Sequence, residues 1–286
     1  MKLGVLVSGN LGLEVIKHLS RLHDIIFVMT DNNSTKIIEL CSHNDIDIFI
    51  GNPRSKIIQN FLFDKEIEVL ISVNYLFLIE KNLITFPSKI AFNIHGSLLP
   101  KYRGRTPHVW AIINNEQVTG ITAHLIDEGC DSGAIIEQLE VKIDYNDTGN
   151  DILNKFQNLY PGIIDKVLNQ VERNTLKLTI QNHELASYFG KRVPEDGQIN
   201  WSWQKERIRN WVRALTFPYP GAFTFFDGVK IIIDEVEFVN IGFNYNSPDG
   251  MIMSINPLLV KTPNGVIALK KVRTNLPDLI KTHILS

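Results

Sequence analysis

Asn93, His95 and Asp131 are the residues of this chain whose types and spacing are best suited to chemistry. An amide and an imidazole can donate to an oxygen that gains negative charge, while a carboxylate can orient the imidazole and help remove a proton. Moving an acyl group onto an amine can use that set, because the carbonyl oxygen turns negative as the amine attacks and the nitrogen must then lose a proton. Asn93 and His95 lie two apart after the apolar run Ile90-Ala91-Phe92, so on an extended strand end their side chains leave from one face. Asp131 stands much later, in Asp127-Glu128-Gly129-Cys130-Asp131-Ser132-Gly133, and must return through a further strand and loop to join them. An open parallel sheet allows that return at its carboxyl edge.

The elements that would position these groups alternate. Leu3 to Ser8 is a short apolar strand, Gly9-Asn10-Leu11-Gly12 reads as a turn, and Leu13 to Leu22 has helical spacing at Leu13, Ile16, Leu19 and Leu22. Ile25 to Met29, Ile46 to Ile50 and Val69 to Val73 read as strands, with helices predicted over Ser34 to His43 and Ile57 to Phe63. This alternation implies a Rossmann-like, mostly parallel sheet with helices on both faces. Gly9 to Gly12 with Asp31 beyond it has the outline of a dinucleotide site, but the full Gly-x-Gly-x-x-Gly is absent, so the glycines are read as serving the turn.

A lone Asn-x-His is ordinarily structural, and an acidic, glycine-rich stretch is ordinarily a turn. Here they occur together with more. Asn93-Ile94-His95 runs into Ser97-Leu98-Leu99-Pro100, then Arg103-Gly104 and Pro107, then Thr119-Gly120-Ile121-Thr122 and the Asp127 to Gly133 stretch. In this order and spacing, Ala91 to Ile136 resembles the folate-dependent formyltransferases, a family that includes enzymes acting on glycinamide ribonucleotide, methionyl-tRNA and nucleotide-linked amino sugars.

The resemblance implies catalytic roles for Asn93, His95 and Asp131: Asn93 and His95 stabilise the oxyanion, and Asp131 holds His95 and assists deprotonation. It implies 10-formyltetrahydrofolate as cosubstrate, held by main-chain groups of Val73, Asn74, Tyr75, Leu76 and Phe77 on one wall and of Asp127 and Gly129 on the other. The basic residues Lys101, Arg103 and Arg105 follow the presumed catalytic strand and suit a nucleotide diphosphate. The sugar enzymes, and among them the one acting on UDP-linked 4-amino-4-deoxyarabinose, are the best match at Lys101-Tyr102-Arg103-Gly104-Arg105, Lys191-Arg192 and Pro218-Tyr219-Pro220-Gly221-Ala222-Phe223. The expected acceptor is therefore a nucleotide-linked, UDP-linked amino sugar, with methionyl-tRNA as the alternative.

Composition is compatible with that reading. With 29 Lys and Arg against 31 Asp and Glu, the balance argues against an extensive nucleic-acid footprint. The 286 residues suffice for two domains: a catalytic domain over 1–180, a linker over 181–203 and a smaller domain over 204–286. In the last, Lys205 to Leu215 reads as a helix, and Phe223 to Phe226, Val229 to Val239, Met251 to Ile255, Leu258 to Thr262 and Val266 to Lys271 as short strands. They suggest a small β-barrel, and the region resembles the OB-like C-terminal domain of the same family's larger members. Tyr219 and Trp211 have rings able to stack on a uracil, although core packing is the plainer assignment.

Cys41 and Cys130 are expected to be thiols, and no metal-ligand spacing such as Cys-x-x-Cys occurs, so no metal is expected. The sequence opens directly into a strand and contains no run near the ~20 apolar residues of a membrane span. A cytoplasmic protein with no membrane partner is expected, and the aromatic second domain offers surface for a homodimer.

Overall fold

The computed structural model describes all residues except 55, 56, 277 and 280. The elements of the first part are β1 (Lys2–Val7), α1 (Gly9–Leu19), β2 (Asp24–Thr30), α2 (Thr35–His43), β3 (Asp47–Ile50), α3 (Ile57–Leu62), β4 (Val69–Val73), α4 (Lys81–Ile84) and β5 (Ile90–His95). They are followed by β6 (Arg103–Gly104), α5 (Pro107–Ile113), β7 (Val118–Leu125), β8 (Ile135–Lys142) and α6 (Gly149–Glu172).

A seven-stranded sheet takes the order β3-β2-β1-β4-β5-β7-β8. Strands β3, β2, β1, β4 and β5 run parallel to one another, and the sequence shows why: every residue of β4 is buried, as an apolar strand covered on both faces requires. On one face a core forms from Leu6, Phe27, Met29, Ile58, Leu62, Leu70 and Leu83. Burying a ring such as Phe27 completely stabilises the fold by about 2–3 kcal/mol.

Two features depart from the expected outline. Gly9 to Gly12 is the first turn of α1 rather than a turn before it. Gly12 is needed there because a Cβ would lie 2.6 Å from that of Val7, so its absence lets the helix close onto β1. Strand β7 pairs with β5 antiparallel, so the sheet is mixed at the edge that carries Asn93 and His95.

The chain divides into two compact units, Met1–Gly104 with Gly120–Val141 and Lys155–Tyr188, and Arg105–Thr119 with Lys142–Asn154 and Phe189–Ser286. Both are discontinuous in sequence. After β9 (Tyr188–Phe189), at the sequence boundary of the units, the second contains α7 (Lys205–Leu215), β10 (Ala222–Phe226), β11 (Val229–Val239), β12 (Ile252–Ile255), β13 (Leu258–Thr262) and β14 (Gly265–Val272). Strands β10 to β14 make a five-stranded antiparallel sheet in the order β10-β11-β14-β13-β12. The helix α7 buries Ile208, Trp211, Val212 and Leu215 on one side, a spacing of three to four residues that matches one helical face.

Cys41 is buried and Cys130 exposed, and the two are not joined in a disulfide. Among the described residues no helix is long and apolar enough to cross a membrane.

Candidate active site

Asn93, His95 and Asp131 converge at the mixed edge of the sheet. The β5 ladder holds the first two: Asn93 pairs with His124 of β7 and His95 with Thr122, so the Asn93 and His124 side chains stand side by side. The Nδ2 of Asn93 lies 3.2 Å from Nε2 of His124, and Nδ1 of His124 lies 2.9 Å from the Leu125 carbonyl. A carbonyl only accepts, so Nδ1 of His124 carries the proton and its Nε2 accepts from the Asn93 amide. This fixes which end of Asn93 is nitrogen and leaves its second N–H for another acceptor.

His95 is 6% exposed. Its Nε2 donates to the Tyr102 carbonyl at 2.7 Å, so the neutral ring presents a bare Nδ1. That Nδ1 is 3.6 Å from Oδ2 of Asp131, beyond direct hydrogen-bonding reach. Tyr102, not Asp131, therefore sets the His95 tautomer, and Asp131 acts on the ring as a nearby charge. Burial pushes the His95 pKa below its ordinary value, against the opposing pull of Asp131 and the Tyr102 carbonyl.

Asp131 sits at φ 52° in the left-handed region. Its Oδ2 accepts from the Gly104 N–H at 2.8 Å, and its Oδ1 is 3.6 Å from Nε2 of His124. Burial alone would raise its pKa, but contacts with His124, His95 and the Gly104 N–H outweigh it and hold the carboxyl well below the usual range. Asp131 is thus a carboxylate between two imidazoles.

The loop that carries Asp131 is braced by side chains. Nε2 of Gln181 donates to the carbonyls of Asp131 and Gly133, at 2.9 and 2.7 Å, and its Oε1 accepts from Nη2 of Arg103 at 2.6 Å. Ser132 Oγ donates to Asp127, which also accepts from the Gly129 N–H at 3.1 Å. Gly133 admits no side chain, because a Cβ there would run into the Leu125 carbonyl.

Burial sets Arg103 apart from Lys101 and Arg105. It is 0% exposed, its guanidinium bonds Gln181, the Tyr188 hydroxyl and His183, and it lies over the Tyr188 ring. Through Gln181 these bonds join Arg103 to the loop that carries Asp131. Lys101 and Arg105, by contrast, are exposed. Sequence reasoning missed His124 and Gln181. The alternation of β7 offered a signal for His124, whereas nothing local marks Gln181.

On the expected folate wall, Val73 ends β4 and Asn74 takes φ 52°, with its Nδ2 donating to the Ser8 carbonyl at 3.0 Å. Tyr75 and Phe77 pack edge to face with ring centroids 5.5 Å apart, while Leu76 is exposed. On the other wall Asp127 and Gly129 are exposed.

Comparison with known proteins agrees with this architecture. Residues 14–168 match the formyl transferase family and residues 191–280 its C-terminal domain. The bifunctional polymyxin resistance protein ArnA of Wigglesworthia glossinidia brevipalpis is 36% identical over 193 residues, which is 68% of this chain and 29% of that protein. This chain thus matches less than a third of that relative's length.

Among solved structures, the sugar 3N-formyl transferase WlaRD with dTDP and 5-N-formyl-THF superposes with a TM-score of 0.68 at 21% identity, over 96% of this chain and 99% of that one. The N-formyltransferase of Helicobacter canadensis, in complex with folinic acid and dTDP-3-aminofucose, gives 0.71 at 22% identity, over 95% and 100%. With its family match spanning the strands and loops that assemble Asn93, His95 and Asp131, this chain belongs to the formyl transferase family.

Proposed function

We propose that this protein transfers a formyl group from 10-formyltetrahydrofolate to the primary amine of a nucleotide-linked amino sugar, with a UDP-linked sugar as the first candidate. The observation that carries this reading is the convergence of an amide donor, a neutral imidazole and an ionised carboxylate at one sheet edge. WlaRD with dTDP and 5-N-formyl-THF, and the H. canadensis enzyme with dTDP-3-aminofucose and folinic acid, support a nucleotide-sugar acceptor and a formylated folate donor.

The formyl donor supplies an activated carbonyl carbon. Main-chain groups of residues 73–77 and of Asp127 and Gly129 would hold its ring. The Asp127 carboxylate is committed to Ser132 and the Gly129 N–H, which leaves recognition on that wall to the backbone. As the amine attacks, the second N–H of Asn93 donates to the formyl oxygen. Nδ1 of His95 accepts the proton that the amine loses, and the Asp131 carboxylate stabilises the resulting imidazolium. His95 then returns that proton to the departing folate nitrogen as the old C–N bond breaks. Lys101 and Arg105 hold the diphosphate.

The test is folate-product release when the purified protein meets 10-formyltetrahydrofolate with a panel of UDP- and dTDP-linked amino sugars, beside unformylated methionyl-tRNA. Release with one sugar nucleotide alone is the expected result. Release with tRNA alone would overturn the proposal.

A further inference from the structure

Two consecutive peptide planes meet at Tyr102, and each is held at both ends. In the first, the Lys101 carbonyl accepts from Ser97 Oγ at 2.6 Å and the Tyr102 N–H donates to Ser187 Oγ at 2.9 Å. In the second, the Tyr102 carbonyl accepts from Nε2 of His95 at 2.7 Å and the Arg103 N–H donates to the Ser187 carbonyl at 2.8 Å. Ser187, half-buried in the stretch that follows α6, thus supplies one acceptor to each plane.

This clamp has a conformation to hold. Tyr102 takes φ 60°, in the left-handed region that a bulky side chain occupies only when its surroundings impose it. Tyr102 is also buried, so losing the acceptor of its N–H leaves a backbone donor unmet. Without Ser187 Oγ, both costs favour turning the Tyr102 peptides away from their present planes.

The consequence reaches His95. If the plane between Tyr102 and Arg103 turned over, an N–H would face the ring where a carbonyl now does. Nε2 would have to accept, the ring proton would move to Nδ1, and Nδ1 could no longer take a proton from an amine. Asp131, with Oδ2 3.6 Å from Nδ1, favours that second tautomer, so the Tyr102 carbonyl must stay in place to prevail. The same stretch acts on Asp131 through Gln181, which holds the carbonyls of Asp131 and Gly133. Residues 181–188 thereby register the imidazole and the carboxylate against each other.

We propose that Ser187 is a positioning residue for formyl transfer: by clamping both peptides of Tyr102 it keeps the Tyr102 carbonyl on Nε2 of His95, and so keeps Nδ1 bare. The assignment rests on the formyl-transfer reading above for what His95 does in turnover, while the tautomer is measurable without substrate.

The test joins spectroscopy to kinetics. In protein carrying ¹⁵N-labelled histidine, the His95 signals are those lost in His95→Asn, and their shifts at about pH 8, above the ordinary histidine pKa, report which ring nitrogen holds the proton. The wild-type ring should be protonated at Nε2. Ser187→Val and Ser187→Thr have nearly the same shape and differ in the hydroxyl. Ser187→Val should move His95 toward the Nδ1-protonated form and lower kcat by about 10- to 100-fold, as a slight misplacement of a reacting group does, with little change in either KM. Ser187→Thr should restore both the tautomer and kcat. Ser187→Ala serves if Ser187→Val does not fold.

An unchanged tautomer and kcat in a folded variant lacking the hydroxyl overturns the clamp. So does a raised KM for the sugar nucleotide with kcat intact, which would make Ser187 a substrate contact. If the wild-type protein formylates a sugar nucleotide while the tautomer ignores the hydroxyl, only the clamp falls. If the tautomer follows the hydroxyl but no sugar nucleotide is formylated, the clamp on His95 stands and the functional reading falls.

Discussion

Strand β5 and the loop 127–133 bring their polar groups to the same place by opposite means. Asn93 and His95 are aimed by a backbone ladder, to which the Tyr102 carbonyl adds one bond and His124 the one side chain in contact. Asp131 is aimed by side chains: Gln181 grips the loop carbonyls, Arg103 grips Gln181, and Asp127 ties Ser132 to Gly129. The lesson is that a strand can offer a reactive group without binding its geometry to stability, while a braced loop couples the two.

That difference is open to breakage. On the strand side, His95→Asn and Asn93→Ala should each lower kcat by ~10²–10³-fold, as removal of a base or an oxyanion donor does. Their unfolding midpoints should shift little; a large stability loss without a kcat loss would reverse the assignment. On the loop side, Arg103→Met leaves Gln181 Oε1 without its donor and should cost about 3 kcal/mol in urea unfolding. It should also lower kcat, because the Asp131 carbonyl loses its anchor. Arg103→Lys should not rescue it, since an ammonium cannot reproduce the two bonds from Nε and Nη2. If Arg103→Met instead raised KM for the sugar nucleotide with stability intact, Arg103 would be a diphosphate ligand after all.

His124 lies between the two regimes, being strand-borne and in contact with both Asn93 and Asp131. His124→Phe should lower kcat by about 10- to 100-fold, because a misplacement near 1 Å costs that much. His124→Gln, which retains an acceptor for Asn93, should lose less.

The smallest effect is the pH dependence. Burial lowers the His95 pKa from 6.5, so below that value the unfolded chain takes up the proton more readily than the folded one. Stability from this group is complete above the unfolded pKa and declines as pH falls through the folded one. The acid limb of kcat should likewise fall below the ordinary value. Unfolding midpoints compared at about pH 7.5 and about pH 5.5 should show a drop that His95→Asn reduces.

Much of this was legible before any fold was known. The periodicities place β1 to β5 and the strands of the second unit, and the two-residue spacing puts Asn93 and His95 on one face. The glycines at 129 and 133 mark a loop that must turn tightly around Asp131. The burial of Arg103 was not legible, because a guanidinium beside a motif looks the same in sequence whether it faces solvent or a buried glutamine.

The amino-acid sequence by itself determined the order of elements, the face on which the strand residues emerge and the chemical types at the site. Those properties depend on neighbours close in the chain. The tertiary structure alone decided that β7 runs antiparallel to β5, which sets His124 against Asn93; that Gln181 reaches back to the Asp131 loop; and that the Tyr102 carbonyl fixes the His95 tautomer. Each of these depends on strand register or on loop closure over tens of residues, and local pattern carries no information about either.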